Sequence, residues 1–189
     1  MKTCYNKQAG ASLIEVLVAV LILSFGLLSL GGMLTFAVQM PKLSGYRATA
    51  ANIVSNYVER VRANPNAFAN NLYTSALSYD GTFTALAESN CSYPDCTEAT
   101  LATMDNAAIN SLVRLQLPAG GMIMRCGTLT STTICTKAEA GNLWVVWQEP
   151  STFAVLDPTN SDNCPSEVTA HSPAFDPKPR CLHVRFKVE

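Results

Sequence analysis

One long apolar segment near the start of the chain sets the strongest limit on its structure. Residues 10–40 read GASLIEVLVAVLILSFGLLSLGGMLTFAVQM, and Glu15 is the one charged residue among them. Residues 16–41 are 26 positions without a formal charge. At about 1.5 Å per helical residue they extend roughly 39 Å, more than the ~30 Å hydrocarbon core of a bilayer. The segment therefore predicts a helix that can span a membrane once.

A short basic leader with Lys2 and Lys7 precedes this segment. A secretory signal peptide would have roughly 7 to 15 apolar residues followed by a small-residue cleavage site. Here the apolar run is longer, contains Glu15, and is not closed by an A-x-A sequence. Hydropathy alone leaves an uncleaved signal anchor as the alternative, but a carboxylate deep in such an anchor costs a few kcal/mol.

The string KQAG at residues 7–10, followed by ASLIE at residues 11–15, resembles the processing site of type IV pilins and of the pseudopilins of type II secretion. In that family a prepilin peptidase cuts after the glycine and methylates the new N-terminus. The resemblance implies that Gly10 ends a cleaved leader, residues 1–10, and that Ala11 becomes the N-methylated first residue. The family usually has phenylalanine or another bulky apolar residue at the position of Ala11.

The position of Glu15 also has a physical rationale. A free α-amine at the start of a helix lies at the positive end of the helix dipole, which is unfavourable. A carboxylate four residues later lies one turn away on the same face and offsets that charge. In a packed filament the same carboxylate can accept the amine of a neighbouring subunit. We therefore predict that Glu15 is a subunit-docking residue, with a tolerated interfacial glutamate as the alternative.

Beyond Pro41 the apolar pattern becomes periodic. The apolar residues that recur at spacings of three and four are Tyr46, Ala50, Ile53, Val54, Tyr57, Val58 and Val61. This pattern predicts an amphipathic helix that ends at Asn64-Pro65. The predicted helix thus covers residues 11–64, with residues 11–40 as the transmembrane part. Its ending, VERVRANP at residues 58–65, resembles that of the PilV-type minor pilins, the type IV pilus modification proteins.

Residues 65–189 are enough for one exported globular domain. The chain has seven cysteines, and removal of a leader containing Cys4 leaves six, an even number that suits an oxidising compartment. Six cysteines permit 15 pairings, among which we favour local ones. This hypothesis pairs Cys91 with Cys96, Cys126 with Cys135, and Cys164 with Cys181. A zinc site that includes His171 and His183 is the alternative, disfavoured because no C-x-x-C occurs.

Three segments of the domain predict strands: residues 122–126, 143–148 and 182–188. The last alternates strictly, with apolar side chains on one face and basic ones in solvent. No helical spacer separates the strands, which favours an antiparallel sheet. Before them, residues 105–116 have helical spacing, with Asp105 as the N-cap or first-turn acid.

The predicted fold class is therefore α+β. It consists of a long N-terminal helix, transmembrane and then amphipathic, packed on a small antiparallel sheet with disulfide-tied loops. The resemblance to type IV pilins implies the same architecture. The turn LPAGG at residues 117–121, which leads into a strand, also resembles PilV-type minor pilins.

No pattern in the sequence supports catalysis. The chain has no P-loop, no G-x-G-x-x-G, no G-x-S-x-G and no H-E-x-x-H, and its carboxylates are scattered. Loss of Lys2 and Lys7 with the leader would leave 11 basic residues against 14 acidic ones, which disfavours a nucleic-acid surface. We therefore expect no enzyme, no cofactor and no metal. The basic residues of the last predicted strand form at most a small stripe.

The resemblance implies a minor type IV pilin that takes part in pilus assembly or priming. Its expected partners are prepilin peptidase, other minor pilins, the major pilin and the inner-membrane assembly platform. The expected location is the bacterial inner membrane, with the domain in the periplasm, and then the pilus at the cell surface. Two alternatives stay open: a type II secretion pseudopilin, and a pilus-tip module that binds surfaces, host cells or DNA through the proline-rich loop at residues 157–179.

Overall fold

The computed structural model of the chain describes residues 12–74, 79–80, 90–92, 94–127, 134–149, 164–169 and 178–188, apart from the side chain of Phe36. The chain divides into two compact units, Met1–Lys42 and Leu43–Glu189. Gly10 and Ala11, and with them the predicted cleavage site, lie outside the described residues.

The predicted long N-terminal helix is confirmed. Helix α1 is Leu13–Ala63, 51 residues. It ends one residue earlier than predicted, because Asn64 already has a non-helical backbone and occupies the N-cap position of the next helix. That helix, α2, is Pro65–Ala69. Proline suits its first turn, where the missing N–H would have no partner in the helix.

Helix α3 is Glu98–Gln116, so the predicted start at residue 105 is wrong. Thr97 caps the helix, and its Oγ1 accepts a hydrogen bond from the N–H of Thr100 at 3.3 Å. The first two turns were missed because their main buried residue is the small Ala102, which gives little apolar signal. Leu115, predicted on the apolar face, is 75% exposed.

The predicted antiparallel sheet is confirmed, and among the described residues it has three strands in the order β1-β2-β3. The strands are β1 (Gly121–Cys126), β2 (Ala140–Gln148) and β3 (Pro179–Lys187), and a short helix α4 (Ser166–Thr169) precedes β3. The central strand β2 pairs with both others, so that Ile123, Trp144 and His183 lie side by side.

The sheet carries a hydrophobic core on each face. The main core combines one face of the sheet with the second half of α1, through Ala50, Ile53, Val54, Tyr57, Val58, Val61, Met122, Met124, Leu143, Val145, Trp147 and Phe186. The smaller core covers the other face, through Tyr79, Ile123, Trp144, Val146, Val168 and Cys181. The basic side chains of β3 were predicted to lie in solvent on this face. His183 instead stacks on Trp144, with ring centroids 4.6 Å apart.

The turn before β1 brings the chain close to two other segments. A Cβ on Gly120 would lie 2.4 Å from the carbonyl oxygen of Val113, and one on Gly121 would lie 2.5 Å from the Cα of Tyr79. Real Cβ atoms do not approach backbone this closely. The glycine pair in the LPAGG turn is thus required for β1 to enter the sheet beside α3.

Candidate functional site

The first half of α1 exposes apolar side chains in every direction. Between Leu13 and Met40, seventeen large hydrophobic residues are exposed, and the most apolar window of the helix has no buried residue. The described residues contain this one helix that is long and apolar enough to cross a membrane. An apolar surface of this extent requires lipid or other protein around it.

Polar groups within this half bond inside the helix. The Ser24 hydroxyl donates to the carbonyl of Val20 at 2.7 Å, and the Thr35 hydroxyl donates to the carbonyl of Gly31 at 2.9 Å. Such internal bonds remove the cost of placing hydroxyl groups in a medium without water. Gly26, Gly31 and Gly32 have open space where a Cβ would lie. Small residues of this kind allow a second helix to approach closely.

Glu15 lies in the first turn of α1 and is exposed. Its backbone N–H donates to the carbonyl of Ser12 at 2.9 Å, so the helix is already formed at this position. The carboxylate is therefore at the positive end of the helix dipole and accessible to a partner. Its role in docking stays a prediction, as does the cleavage between Gly10 and Ala11.

A cluster of polar residues ties the second half of α1 to α3. This polar junction consists of Tyr57, Arg60, Tyr73, Asp105 and Asn106. Arg60 Nη1 donates to Asp105 Oδ1 at 2.8 Å, and the Tyr73 hydroxyl donates to Asp105 Oδ2 at 2.8 Å. The Tyr57 hydroxyl donates to Asn106 Oδ1 at 2.7 Å. Asp105 thus serves as a shared acceptor in mid-helix, whereas the sequence predicted it to start the helix.

Both tyrosines of the junction are held in the neutral form. Burial, followed by the nearby Tyr73 and Asp105, raises the pKa of Tyr57 well above its ordinary value. Burial and the hydrogen bond to Asp105 likewise raise the pKa of Tyr73. Each hydroxyl therefore keeps its proton, and remains a donor, to a higher pH than an exposed tyrosine would. Tyr73 could not be found from a sequence pattern, because it lies in a turn rather than in a periodic segment.

Two further polar residues of the string at 58–65, Arg62 and Asn64, contact β3 and α3. Arg62 Nε donates to the carbonyl of Lys187 in β3 at 3.4 Å, and Asn64 Nδ2 donates to the carbonyl of Glu98 at 2.9 Å. Together with Arg60, these residues connect the end of α1 to α3 and to the sheet. The features that resemble PilV-type pilins thus contribute to the attachment of α1 within Leu43–Glu189.

The part of the chain that the structure describes contains three disulfides, each between consecutive cysteines of the sequence. They join Cys91 with Cys96, Cys126 with Cys135, and Cys164 with Cys181, over Cα separations of 5.5, 5.1 and 5.3 Å. These separations are within the usual range for a disulfide. Cys164 and Cys181 are thereby committed to each other rather than to a zinc ion. His171 lies outside the described residues.

The described residues contain no group of three or more His, Cys, Asp or Glu side chains able to hold a metal ion. Several charged residues in this part of the chain pair with a residue distant in the sequence, such as Arg125 with Glu167 and Arg180 with Glu149. His183 pairs its Nε2 with Asn142 Oδ1 at 3.1 Å. Burial, with a smaller contribution from Arg185, lowers its pKa.

Comparison with known families identifies two matches. The family described as Type IV pilin Tt1218 matches residues 33–107, and the prokaryotic N-terminal methylation motif matches residues 5–31. These matches show the type IV pilin family. That family is structural rather than enzymatic, and the methylation motif marks a substrate of the prepilin peptidase. No curated protein and no solved structure matches the chain.

The two matched ranges contain different features of this pilin. The motif match includes the positions of Gly10, Ala11 and Glu15, and the family match includes every residue of the polar junction. The sheet, residues 121–187, lies beyond both matches. The apolar helix and the methylation motif agree with a membrane-anchored pilin.

Proposed function

We propose that this pilin is a minor pilin of the PilV type that takes part in the assembly or priming of a type IV pilus. The observation that carries the proposal is α1, whose exposed apolar half begins with an accessible Glu15 inside the matched methylation motif. The apolar half serves first as an inner-membrane anchor and then as a filament core. The domain after Ala63 is exported to the periplasm and reaches the cell surface with the pilus.

The proposal assigns a role to each segment. Residues 1–10 are the leader that prepilin peptidase removes, and Ala11 receives the methyl group. Residues 11–40 are the anchor, and residues 65–189 are the exported domain. The proposed partners are the major pilin, other minor pilins and the inner-membrane assembly platform.

Two features favour a PilV-type pilin over a type II secretion pseudopilin. The string at residues 58–65 and the turn at residues 117–121 resemble the PilV type, and both are in close contact with the rest of the domain. The domain also has three disulfides, whereas pseudopilins usually have simpler domains. Deletion of the gene separates the two functions. Loss of surface pili and twitching supports the pilus, and exoprotein retained in the periplasm supports secretion.

Mass spectrometry of the mature protein tests processing and redox state together. We expect a chain that begins at Ala11, carries one added methyl group and has six oxidised cysteines. Peptides from a digest without reduction should contain the three local cystine pairs. An intact Met1, or a mass without the methyl group, would contradict the proposed processing.

Replacement of Glu15 tests docking. We expect Glu15→Ala to lose pilus assembly while the leader is still cleaved, because the carboxylate that accepts the neighbour's amine is gone. Glu59→Ala is the matched control, since Glu59 is an exposed glutamate on the same helix. Normal piliation by the Glu15 variant would eliminate the docking role, and failed cleavage would place Glu15 in peptidase recognition instead.

A further inference from the structure

Strand β3 is an outer strand of the sheet, and its outer edge has no paired strand among the residues the structure describes. It pairs with β2 from Pro179 to Lys187 along its inner edge. Outer strands present a row of backbone donors and acceptors to which a further strand can bind.

The register shows which residues direct their backbone groups outward. The N–H of Gly127 donates to the carbonyl of Ala140 at 3.0 Å, so the backbone groups of Ala140 point toward β1. In an antiparallel ladder this direction alternates along the strand. Lys187, opposite Ala140, therefore points its own backbone groups away from β2. The same holds for Cys181, His183 and Arg185.

Neither end of this edge offers a complete set of free backbone groups. Arg62 Nε reaches the carbonyl of Lys187, and Pro179 lies at an outward position where it has no N–H to offer. The available part of the edge is thus centred on His183 and Arg185. It is long enough for a short extended segment rather than for a full strand.

The side chains at this edge define the chemistry of a partner. On the face of the main core, Leu182 and Val184 are only partly buried, although their neighbours Val145 and Leu143 on β2 are fully buried. On the opposite face Arg185 and Lys187 are exposed. Neither is in an ion pair within the described residues, unlike Arg60, Arg62, Arg114, Arg125 and Arg180.

We infer that the outer edge of β3 binds an extended segment of a partner protein whose side chains alternate between apolar and acidic. The apolar side chains would cover the uncovered parts of Leu182 and Val184. The acidic ones would face Arg185 and Lys187, and the backbone would complete the ladder at His183 and Arg185. A second copy of β3 is a poor occupant, because antiparallel pairing would place like charges on one face.

Hydrogen–deuterium exchange of the full chain in detergent micelles tests this inference. The probes are a ten-residue peptide that alternates valine and glutamate, and a second with lysine in place of glutamate. In the protein alone we expect fast exchange at His183 and Arg185, and slow exchange at Leu182, Val184 and Phe186. The glutamate peptide should slow exchange at His183 and Arg185, and at low salt it should bind about tenfold more tightly than the lysine peptide.

Two variants separate strand addition from attraction by charge. Arg185→Pro removes an outward N–H while leaving the bonds to β2, as Pro179 already does on this strand, and should abolish binding. Arg185→Glu keeps the backbone and should shift the preference toward the lysine peptide. Arg47→Glu is the control, with the same charge change at an exposed position on α1.

Three results would overturn the inference. The first is slow exchange at His183 and Arg185 in the protein alone, since the edge would then be paired already. The second is binding of the glutamate peptide without any slowing at these amides, which would mean attraction by charge only. The third is equal binding of the two peptides to the unmodified chain.

Discussion

The two halves of α1 are built from similar apolar residues but differ in how those residues are covered. In the first half every large apolar side chain whose placement is described is exposed, so the pattern has no preferred face. In the second half the apolar residues at spacings of three and four are buried from Ala50 to Val61, and the positions between them are exposed or, at Arg60, half-exposed. A helix that is apolar on every face therefore indicates an apolar medium around it. A helix that is apolar on one face indicates a particular element packed against that face.

A pair of isoleucines gives the largest expected difference between the halves. Ile53 is 2% exposed and Ile22 is 65% exposed. We expect Ile53→Ala to lower the free energy of unfolding of the domain by about 2–5 kcal/mol, through lost burial and a cavity. Ile22→Ala should leave it unchanged within about 0.5 kcal/mol. Denaturant titration in micelles, followed by near-ultraviolet circular dichroism, measures both. Equal losses of stability in the two variants would show that the two halves do not differ in this way.

An introduced charge should affect the first half of α1 more than the second half. Leu23→Arg places a charge in the apolar half and should make membrane insertion less favourable by about 2.5–3.5 kcal/mol. Ser55→Arg, at an exposed position of the second half, should have no such effect. Fractionation of membranes after carbonate extraction measures retention. Full retention of the Leu23 variant would mean that residues 13–40 are not the anchor.

Loss of one charge in the polar junction should have a moderate effect. Asp105→Asn removes the ion pair with the half-exposed Arg60 but can still accept from Tyr73, so we expect a loss of about 1 kcal/mol in the free energy of unfolding. Glu59→Gln breaks the exposed pair with Arg62 and should cost less than about 0.5 kcal/mol. Two equal losses would show that the junction acts as an ordinary surface pair.

High pH should lower the stability of the unit Leu43–Glu189, which contains the second half of α1, and should leave the apolar half unchanged. Burial raises the pKa of Tyr57 and Tyr73, and raises that of Tyr79 to about 12. An unfolded tyrosine loses its proton near pH 10, so above about pH 10 the unfolded state binds fewer protons and stability falls as pH rises. Below about pH 9 these groups should cause no change.

Alkaline titration of the free energy of unfolding measures this fall. Tyr73→Phe should give a shallower decline above about pH 10, because one buried hydroxyl no longer titrates. Amide exchange in the apolar half should be the same at pH 8 and pH 10.5 after correction for the intrinsic rate. If the variant loses stability with the same slope, Tyr73 does not contribute to alkaline unfolding.

The parts of this fold that could be predicted are those in which a single local sequence pattern determines the element. The periodic residues of α1 and the alternation of β3 predicted both elements, and Gly10 and Glu15 followed from a short motif. The start of α3 was not predictable in this way, because Ala102 is buried without being strongly apolar. The polar junction was missed because Tyr73 approaches Asp105 only through the turn after α2, where Asn71 has a φ of 61°.

The second core was missed for a related reason. Alternation along β3 shows which residues share a face, but it does not show whether a segment covers the other face. That cover comes from two segments far apart in the sequence: Tyr79, and the segment of Val168 with the disulfide between Cys164 and Cys181. Contacts of this kind depend on loop paths, which residue patterns do not encode.

The local pairing of the cysteines has a mechanical consequence. The six cysteines that follow Gly10 form bonds that close only short loops, and none joins α1 to the sheet. If a filament holds this subunit by α1, a pulling force passes to α3 and the sheet through side-chain packing, the Arg60–Asp105 pair and the contact of Arg62 with β3. The disulfides would keep the loops closed under load without adding to the strength of that connection. The force at which α1 separates from the rest of the domain is then set by reversible contacts. The helix can pack on the domain again after the load is released.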